Sequence, residues 1–188
     1  MALRSTADRY GAVAVGLHWA SAAAILVLLP LGLLMQGAEG ELRVLLYRAH
    51  LALGLLVLGA TLLRVFWRFA LERGRPAALP GPVLQSKAAK AAHGLLYLAL
   101  LALAVSGVGM MALSGAGPDL FENGIAPAPG AFDALAPRAL HGAVALVFAG
   151  LLALHVAAAV WHHRVRRDET LSRMLPARRG EARTRATG

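Results

Sequence analysis

Four long stretches with almost no charge constrain the fold of this 188-residue chain more than any other feature. Three of them, residues 11–35, 91–118 and 139–163, contain no Asp, Glu, Lys or Arg. Because an α-helix rises about 1.5 Å per residue, a helix of 25 residues is roughly 37 Å long. This length exceeds the thickness of the hydrocarbon core of a bilayer, which is about 30 Å. These stretches predict three transmembrane helices, over about 11–35, 91–114 and 139–163.

A fourth apolar stretch is interrupted by arginines. The uncharged run at residues 49–63 lies between Arg48 and Arg64 and is too short to cross a bilayer alone. An arginine near a helix end can extend its side chain to the membrane interface, so we predict this span over 44–69, with Arg64 inside the helix end. Residues 71–86 contain three prolines and predict a connector to the third helix.

The predicted fold is therefore all-α. It is an integral membrane four-helix bundle, with a single domain over residues 1–176 and a basic tail at 177–188. The absence of cysteine excludes disulfides, thiolate metal sites and iron–sulfur clusters.

The basic residues are distributed very unevenly about these spans. If both termini are cytoplasmic, 16 of the 19 Lys and Arg residues lie on the cytoplasmic side, all except Arg43, Arg48 and Arg138. The positive-inside rule therefore predicts cytoplasmic termini. A net charge of +9 on a soluble protein would suggest nucleic acid. Here the cations surround helix ends, so the expected partner is the lipid bilayer and not nucleic acid.

Six of the seven histidines lie on the predicted spans, where an ionisable side chain is costly and usually faces the bundle interior, and His163 lies at a span boundary. With this orientation, His50 and His141 share the outer level, and His18 and His155 share the inner level. His141 and His155 are 14 residues apart on the fourth helix. Their side chains point in directions that differ by about 40° around the helix, and the two residues lie about 21 Å apart along the helix axis.

Two imidazoles from facing helices can hold a b-type haem without covalent attachment. The depths therefore predict two haems b, one with iron ligands His18 and His155 and one with His50 and His141. The alternatives are hydrogen-bonded packing histidines or axial methionines, and methionine is also an ordinary apolar filler. A histidine-rich metal transporter would need carboxylates in the membrane, and the three charge-free spans contain none.

Several segments resemble the bacterial cytochrome b561 family. They are RYGAVAVGLHW at 9–19, RVFWR at 64–68, HGLLYLALLALAVSGVGMM at 93–111 and LHVAAAVWHHRVRRDETLSRMLP at 154–176. The resemblance implies a four-helix, di-haem b protein of the bacterial inner membrane, with the same two histidine pairs as ligands. In one branch, superoxide oxidase, superoxide is oxidised to O₂ at the periplasmic face and ubiquinone is reduced.

The resemblance also implies that His93 and His162 lie beside a quinone pocket at the cytoplasmic edge. Histidines near water can relay the two protons that quinone reduction consumes. Arg64 and Lys87 would supply positive charge to a quinone or to haem propionates. The alternative for Lys87 is an ordinary basic collar at the membrane edge.

Two outer arginines stand close to the outer ligands in sequence. Arg48 precedes His50 by two residues, and Arg138 precedes His141 by three. A cationic mouth there would steer superoxide, a small anion, although either arginine could equally pair with a propionate. The competing function is an electron-transfer cytochrome b subunit that links a periplasmic redox protein partner to the quinone pool. Such a protein should expose a sizeable docking patch on the 115–137 loop.

Overall fold

The structure is a computed structural model that describes residues 2–72, 76 and 82–175. Its framework is four long helices: α1 at Ala12–Gly37, α2 at Gly40–Phe66, α3 at Val83–Ser114 and α4 at Ala136–Trp161. The helices α2 and α4 each continue into one π-helical turn, at Trp67–Leu71 and His162–Arg166 respectively. The described residues contain no β-strand, so the all-α prediction is confirmed.

All four helices are long and apolar enough to cross a membrane, over Ala12–Gly37, Gly40–Leu71, Val83–Ser114 and Ala136–Arg166. This confirms the predicted four-helix membrane fold. The spans run beyond the uncharged stretches at several ends, because Lys, Arg and Gln are good helix formers and their long side chains reach back to the interface.

The predicted connector at 71–86 is wrong at its C-terminal end. The helix α3 begins at Val83, so Lys87 and Lys90 lie on its first turns. Pro82 immediately precedes the helix, where its fixed φ suits a helix start. Residues 73–75 and 77–81 of the connector, and the tail predicted at 177–188, lie outside the described residues.

The outer surface of the bundle is apolar on every long helix. Leu33, Leu62, Leu98 and Leu146 are all largely exposed. A soluble monomer rarely exposes so much contiguous apolar surface, whereas lipid tails would cover it without cost. This surface agrees with the membrane assignment.

The four helices meet in a central core that consists of Ala24, Ile25, Val57, Ala99 and Phe148. Phe148 is almost fully buried and lies seven residues from both His141 and His155 on α4. The core therefore separates two levels of the bundle. The end of the bundle at which α1 and α3 finish is called the loop end. The opposite end, at which α1 starts and α4 finishes, is called the terminal end.

The segment between α3 and α4, residues 115–135, folds over the loop end, and we call it the capping segment. It contains a helical turn at Ala116–Pro118 and a π-helical turn at Asp119–Asn123. Leu120 of this segment is fully buried and packs with Tyr47 and Phe132 in a second apolar core. Gly115 ends α3 with φ +68°, a left-handed conformation that glycine adopts easily. The loop end is thus capped by packed side chains.

At the terminal end, the chain after α4 folds back across the start of α1. The indole nitrogen of Trp19 donates a hydrogen bond of 2.6 Å to the carbonyl of Met174. Arg9 donates to the carbonyls of Ser172 and Leu175. These contacts hold the last described segment against the bundle.

Candidate functional site

At the loop end, the bundle brings His50 of α2 against His141 of α4. Their ring centroids are 6.4 Å apart, and the ring planes are inclined by 62°. The sequence places these two histidines at one depth, and the structure shows their side chains facing each other.

At the terminal end, His18 of α1 faces His155 of α4 with almost the same geometry. The ring centroids are again 6.4 Å apart, with an interplanar angle of 63°. His93 of α3 also contacts His155, but at a shorter centroid distance of 5.3 Å. His155 therefore has two imidazole neighbours, at different spacings.

The 6.4 Å spacing fits two axial ligands of one metal ion. A metal lies about 2.0 Å from a coordinating imidazole nitrogen, and the ring centre lies about 1.1 Å beyond it, so two axial imidazoles have ring centres about 6 Å apart. The 5.3 Å spacing of His93 and His155 is too short for this arrangement. His18 is therefore the better axial partner for His155.

Each pair supplies only two ligands. Within the described part of the chain, no group of three or more His, Cys, Asp or Glu residues could hold a metal ion. A metal at either pair would need further ligands, and the porphyrin of a haem provides such a set. The residues present therefore fit a haem at each level.

A serine orients the imidazole of His141. The Ser106 hydroxyl donates to the carbonyl of Ala102 at 2.6 Å, so its oxygen accepts from His141 Nδ1–H at 3.0 Å. This hydrogen bond places the proton on Nδ1 and leaves the lone pair of Nε2 available to a metal. Sequence reasoning missed Ser106, although a buried serine within an apolar span is the signal that could have revealed it.

Two glycines on neighbouring helices make room for the loop-end pair. A Cβ at Gly32 of α1 would lie 3.2 Å from His50 Cε1, and one at Gly107 of α3 would lie 3.4 Å from His141 Cε1. The distance at Gly32 is tighter than most carbon contacts and the distance at Gly107 is at the lower limit of ordinary contact, so a side chain larger than alanine would press on each imidazole. Sequence reasoning missed both positions because glycine is common in membrane helices.

Arg64 lies beside the terminal-end pair. Its Nη2 atom is 3.4 Å from His18 Nδ1, and its guanidinium lies 5.3 Å from the centre of the Tyr97 ring. An arginine can only donate, so this long contact uses the Nδ1 lone pair of His18. Coordination of a metal through His18 Nε2 needs the ring proton on Nδ1. In that tautomer Nδ1 has no lone pair to accept from Arg64, so the contact is lost. Lys87 is exposed and makes no hydrogen bond or ion pair with the described residues.

His162 lies in a hydrogen-bonded network that joins the end of α4 to the start of α3. Its Nδ1 atom is 2.5 Å from Asp168 Oδ2, and its Nε2 atom is 2.8 Å from Gln85 Nε2. Arg166 donates to Gln85 Oε1 at 3.0 Å. Asp168 also accepts the backbone N–H of Thr170 at 3.0 Å. The structure thus places His162 and His93, which were predicted to share a pocket, in separate contacts.

Asp168 keeps its charge in this network. Burial alone would raise the pKa of its carboxyl group, but hydrogen bonds from Thr170 and His162 outweigh that effect and lower the pKa to about 2. Asp168 is therefore a carboxylate at neutral pH. Sequence reasoning did not assign a role to it, because only the folded chain brings it onto His162.

The two arginines at the loop end have different surroundings. Arg48 donates from Nε and Nη2 to the carbonyl of Leu120, at 2.9 and 2.7 Å, and so anchors the capping segment. Arg138 lies along α4 beside Gly142 and has no hydrogen bond or ion pair with the described residues. Arg138 therefore has the freer guanidinium of the two.

A family model described as prokaryotic cytochrome b561 matches residues 9–177. The chain is 31% identical over 185 residues to the Escherichia coli (strain K12) protein named cytochrome b561 homolog 2, covering 93% of this chain and 95% of that protein. Its likeness to cytochrome b561 homolog 1 of the same organism is 34% over 102 residues, which is 53% of this chain and 58% of that protein. A Yersinia pestis protein named probable superoxide oxidase CybB is 25% identical over 174 residues, 92% of this chain and 98% of that protein.

Proposed function

This chain belongs to the prokaryotic cytochrome b561 family of membrane electron-transfer proteins, which bind haem b, and on that premise we propose that it holds two haems. His50 and His141 would bind one haem, and His18 and His155 the other. The observation that carries the proposal is the equal 6.4 Å ring spacing at both levels of the bundle.

Bis-histidine ligation leaves no open position on the iron, so each haem would pass single electrons and not bind oxygen. The protein supplies orientation and insulation. Ser106 holds His141 with Nε2 free, and the central core around Phe148 keeps water from the space between the two levels. Arg64, beside His18, supplies a positive charge for a haem propionate or for a quinone.

The orientation we propose has both termini in the cytoplasm of a bacterium and the bundle in the inner membrane. It rests on the unequal distribution of Lys and Arg between the two ends. The loop end then faces the periplasm, and the terminal end faces the cytoplasm.

The reaction we propose is the oxidation of superoxide at the loop end, coupled to the reduction of ubiquinone at the terminal end. Two superoxide anions, one ubiquinone and two protons yield two O₂ and one ubiquinol. The name of the Yersinia pestis relative supports this donor. Arg48 and Arg138 would attract the anion, whereas His93, His162, Arg64 and Lys87 would serve the quinone end.

A second candidate is an electron-transfer subunit that receives electrons from a periplasmic redox protein. The observation that favours it is the exposure of two large apolar side chains on the capping segment, Phe121 and Ile125. Exposed apolar groups on a loop are typical of a docking surface.

The experiment that tests these functions uses the purified full-length protein in its haem-loaded form. We expect a pyridine haemochrome assay to give two haems per chain. Stopped-flow mixing with superoxide should reduce the haems, seen as a change to the optical spectrum of the reduced form, and added superoxide dismutase should abolish that change. A protein with fewer than two haems contradicts the di-haem assignment. Two haems that dithionite reduces and superoxide does not would favour the redox-protein partner.

A further inference from the structure

We infer that Asp168 is a positioning residue for His162, holding the imidazole so that its Nε2 atom delivers a proton to ubiquinone. This inference rests on the proposed quinone reduction and adds a residue to its proton supply. Its basis is the connected set of hydrogen bonds around His162, in which each donor and acceptor can be assigned.

The direction of these hydrogen bonds follows from one arginine. Arg166 can only donate, so the Gln85 atom it contacts at 3.0 Å is the amide oxygen. The Gln85 amide nitrogen therefore faces His162 Nε2 at 2.8 Å and donates to it. Because Nε2 accepts, the ring proton is on Nδ1 and is donated to Asp168 Oδ2. The network thus selects one tautomer of His162.

The backbone brings Asp168 to this place through an unusual conformation. Arg167 has a φ of +53° and is the only described non-glycine residue with a positive φ. Such residues are uncommon. The reversal carries the chain back toward α4, where the Asp168 N–H donates to the carbonyl of His162 at 3.2 Å. Thr170 then holds the carboxylate from the other side. A chain that ended the helix without this turn would leave Asp168 away from His162.

This arrangement suits a proton donor. The charged groups around His162 are Asp168 and, one hydrogen bond further away, Arg166. When Nε2 takes a proton from cytoplasmic water, the charge of the Asp168 carboxylate at Nδ1 stabilises the imidazolium ion, as the carboxylate of a catalytic triad does for its histidine. A protonated Nε2 can no longer accept from the Gln85 amide nitrogen, so that hydrogen bond breaks and the Nε2–H group can donate to a quinone carbonyl oxygen.

In the first transfer, the Nε2–H bond of the imidazolium breaks, and an O–H bond forms on the quinone as it receives one electron that originates from superoxide. His162 returns to its neutral tautomer with the proton still on Nδ1. A second proton and a second electron complete ubiquinol. Asp168 remains ionised throughout and acts only through His162.

The test compares Asp168→Asn with Glu169→Gln in the full-length haem-loaded protein. Glu169 is the adjacent carboxylate, is largely exposed and pairs with Arg173, so its variant removes the same charge without touching His162. Each protein is reduced with limiting dithionite and mixed with a short-chain ubiquinone, and the rate of haem reoxidation is followed across pH.

We expect Asp168→Asn to keep both haems and to be reduced by superoxide at the normal rate. Its reoxidation by ubiquinone should slow about 10-fold or more, and the pH at which the rate declines should move lower. Asp168→Glu should restore most of the rate. Because Asp168 acts through His162, the double variant with His162→Gln should be no slower than His162→Gln alone.

A second readout does not depend on turnover. NMR of histidine-labelled, reduced protein should show the Nδ1–H proton of His162, assigned by its loss in His162→Gln, far downfield, and this resonance should move upfield in Asp168→Asn because an amide oxygen accepts more weakly than a carboxylate. Equal reoxidation rates in Asp168→Asn and Glu169→Gln would overturn the inference and leave the proposed function standing. Wild-type protein that ubiquinone does not reoxidise would overturn both.

Discussion

Ser106 of α3 and His141 of α4 meet in a 3.0 Å hydrogen bond in which the serine oxygen accepts the Nδ1 proton. An acceptor at Nδ1 makes the imidazole a better electron donor to a metal at Nε2, which stabilises the oxidised metal. Ser106→Ala should therefore raise the reduction potential of the loop-end haem and leave the terminal-end haem unchanged. A spectroelectrochemical titration that resolves the two haems measures this shift.

Ser21→Ala is a matched control for this prediction. Ser21 is as deeply buried on α1, and its hydroxyl donates to the carbonyl of Leu17, a hydrogen bond within its own helix. Equal shifts in the two serine variants would show that Ser106 has no particular influence on His141.

Alanine at any of the four paired histidines should remove one haem of two. His50→Ala and His141→Ala should lose the loop-end haem, and His18→Ala and His155→Ala the terminal-end haem, because one axial ligand alone holds a non-covalent haem weakly. The pyridine haemochrome assay should fall to about one haem per chain. His163→Ala is the control, since His163 is exposed and should keep both haems. Two haems in any paired variant would refute that pairing.

Gly32→Val should disrupt the loop-end haem without removing a ligand. Even a Cβ at Gly32 would lie 3.2 Å from His50 Cε1, so the larger valine must push the imidazole from its position. Haem content should fall toward one per chain. Gly59→Val on α2 is the control, because a Cβ there meets no atom within 4 Å. If both variants retain two haems, the close approach has no consequence for binding.

Arg138→Gln should slow the reduction of the haems by superoxide at low ionic strength about 10-fold or less, and it should weaken the salt dependence of that rate. The reason is that Arg138 adds positive charge near His141 without being committed to a hydrogen bond with the described residues. Arg138→Lys keeps the charge and should keep the salt dependence. An unchanged salt dependence in Arg138→Gln would show that Arg138 does not attract the superoxide anion.

Arg48→Lys should behave differently, because Arg48 also anchors the capping segment. A lysine cannot reproduce the two donors that reach the Leu120 carbonyl. We expect a loss of about 1–3 kcal/mol, measured as a lower midpoint of thermal unfolding, with the salt dependence retained. A midpoint equal to that of the wild-type protein would argue against the anchoring role.

The turn that follows α4 should be sensitive to acid. The pKa of Asp168 is lowered from 3.8 to about 2, so its contribution is fully present above about pH 4 and is lost as the pH falls through about 2. The backbone N–H of Thr170, which donates to Asp168, should lose protection from hydrogen exchange over that interval. In Asp168→Asn the protection of the Thr170 N–H, corrected for intrinsic exchange, should not change between about pH 4 and pH 2.

The sequence by itself determined the membrane helices and the depth of each histidine. Both follow from local quantities, namely the length of uncharged runs and the constant rise of a helix. The positions of His50 and His141, and of His18 and His155, could be matched in depth for the same reason. Helix ends were less predictable, as the start of α3 at Val83 shows, because charged helix formers extend a helix without changing its apolar core.

Only the tertiary structure decided which side chains meet across helices. The contacts of Ser106 with His141, Gly32 with His50 and Gln85 with His162 join residues on different helices. Such contacts depend on how each helix is rotated about its axis, and that rotation results from packing of the whole bundle. Asp168 reaches His162 only because Arg167 reverses the chain.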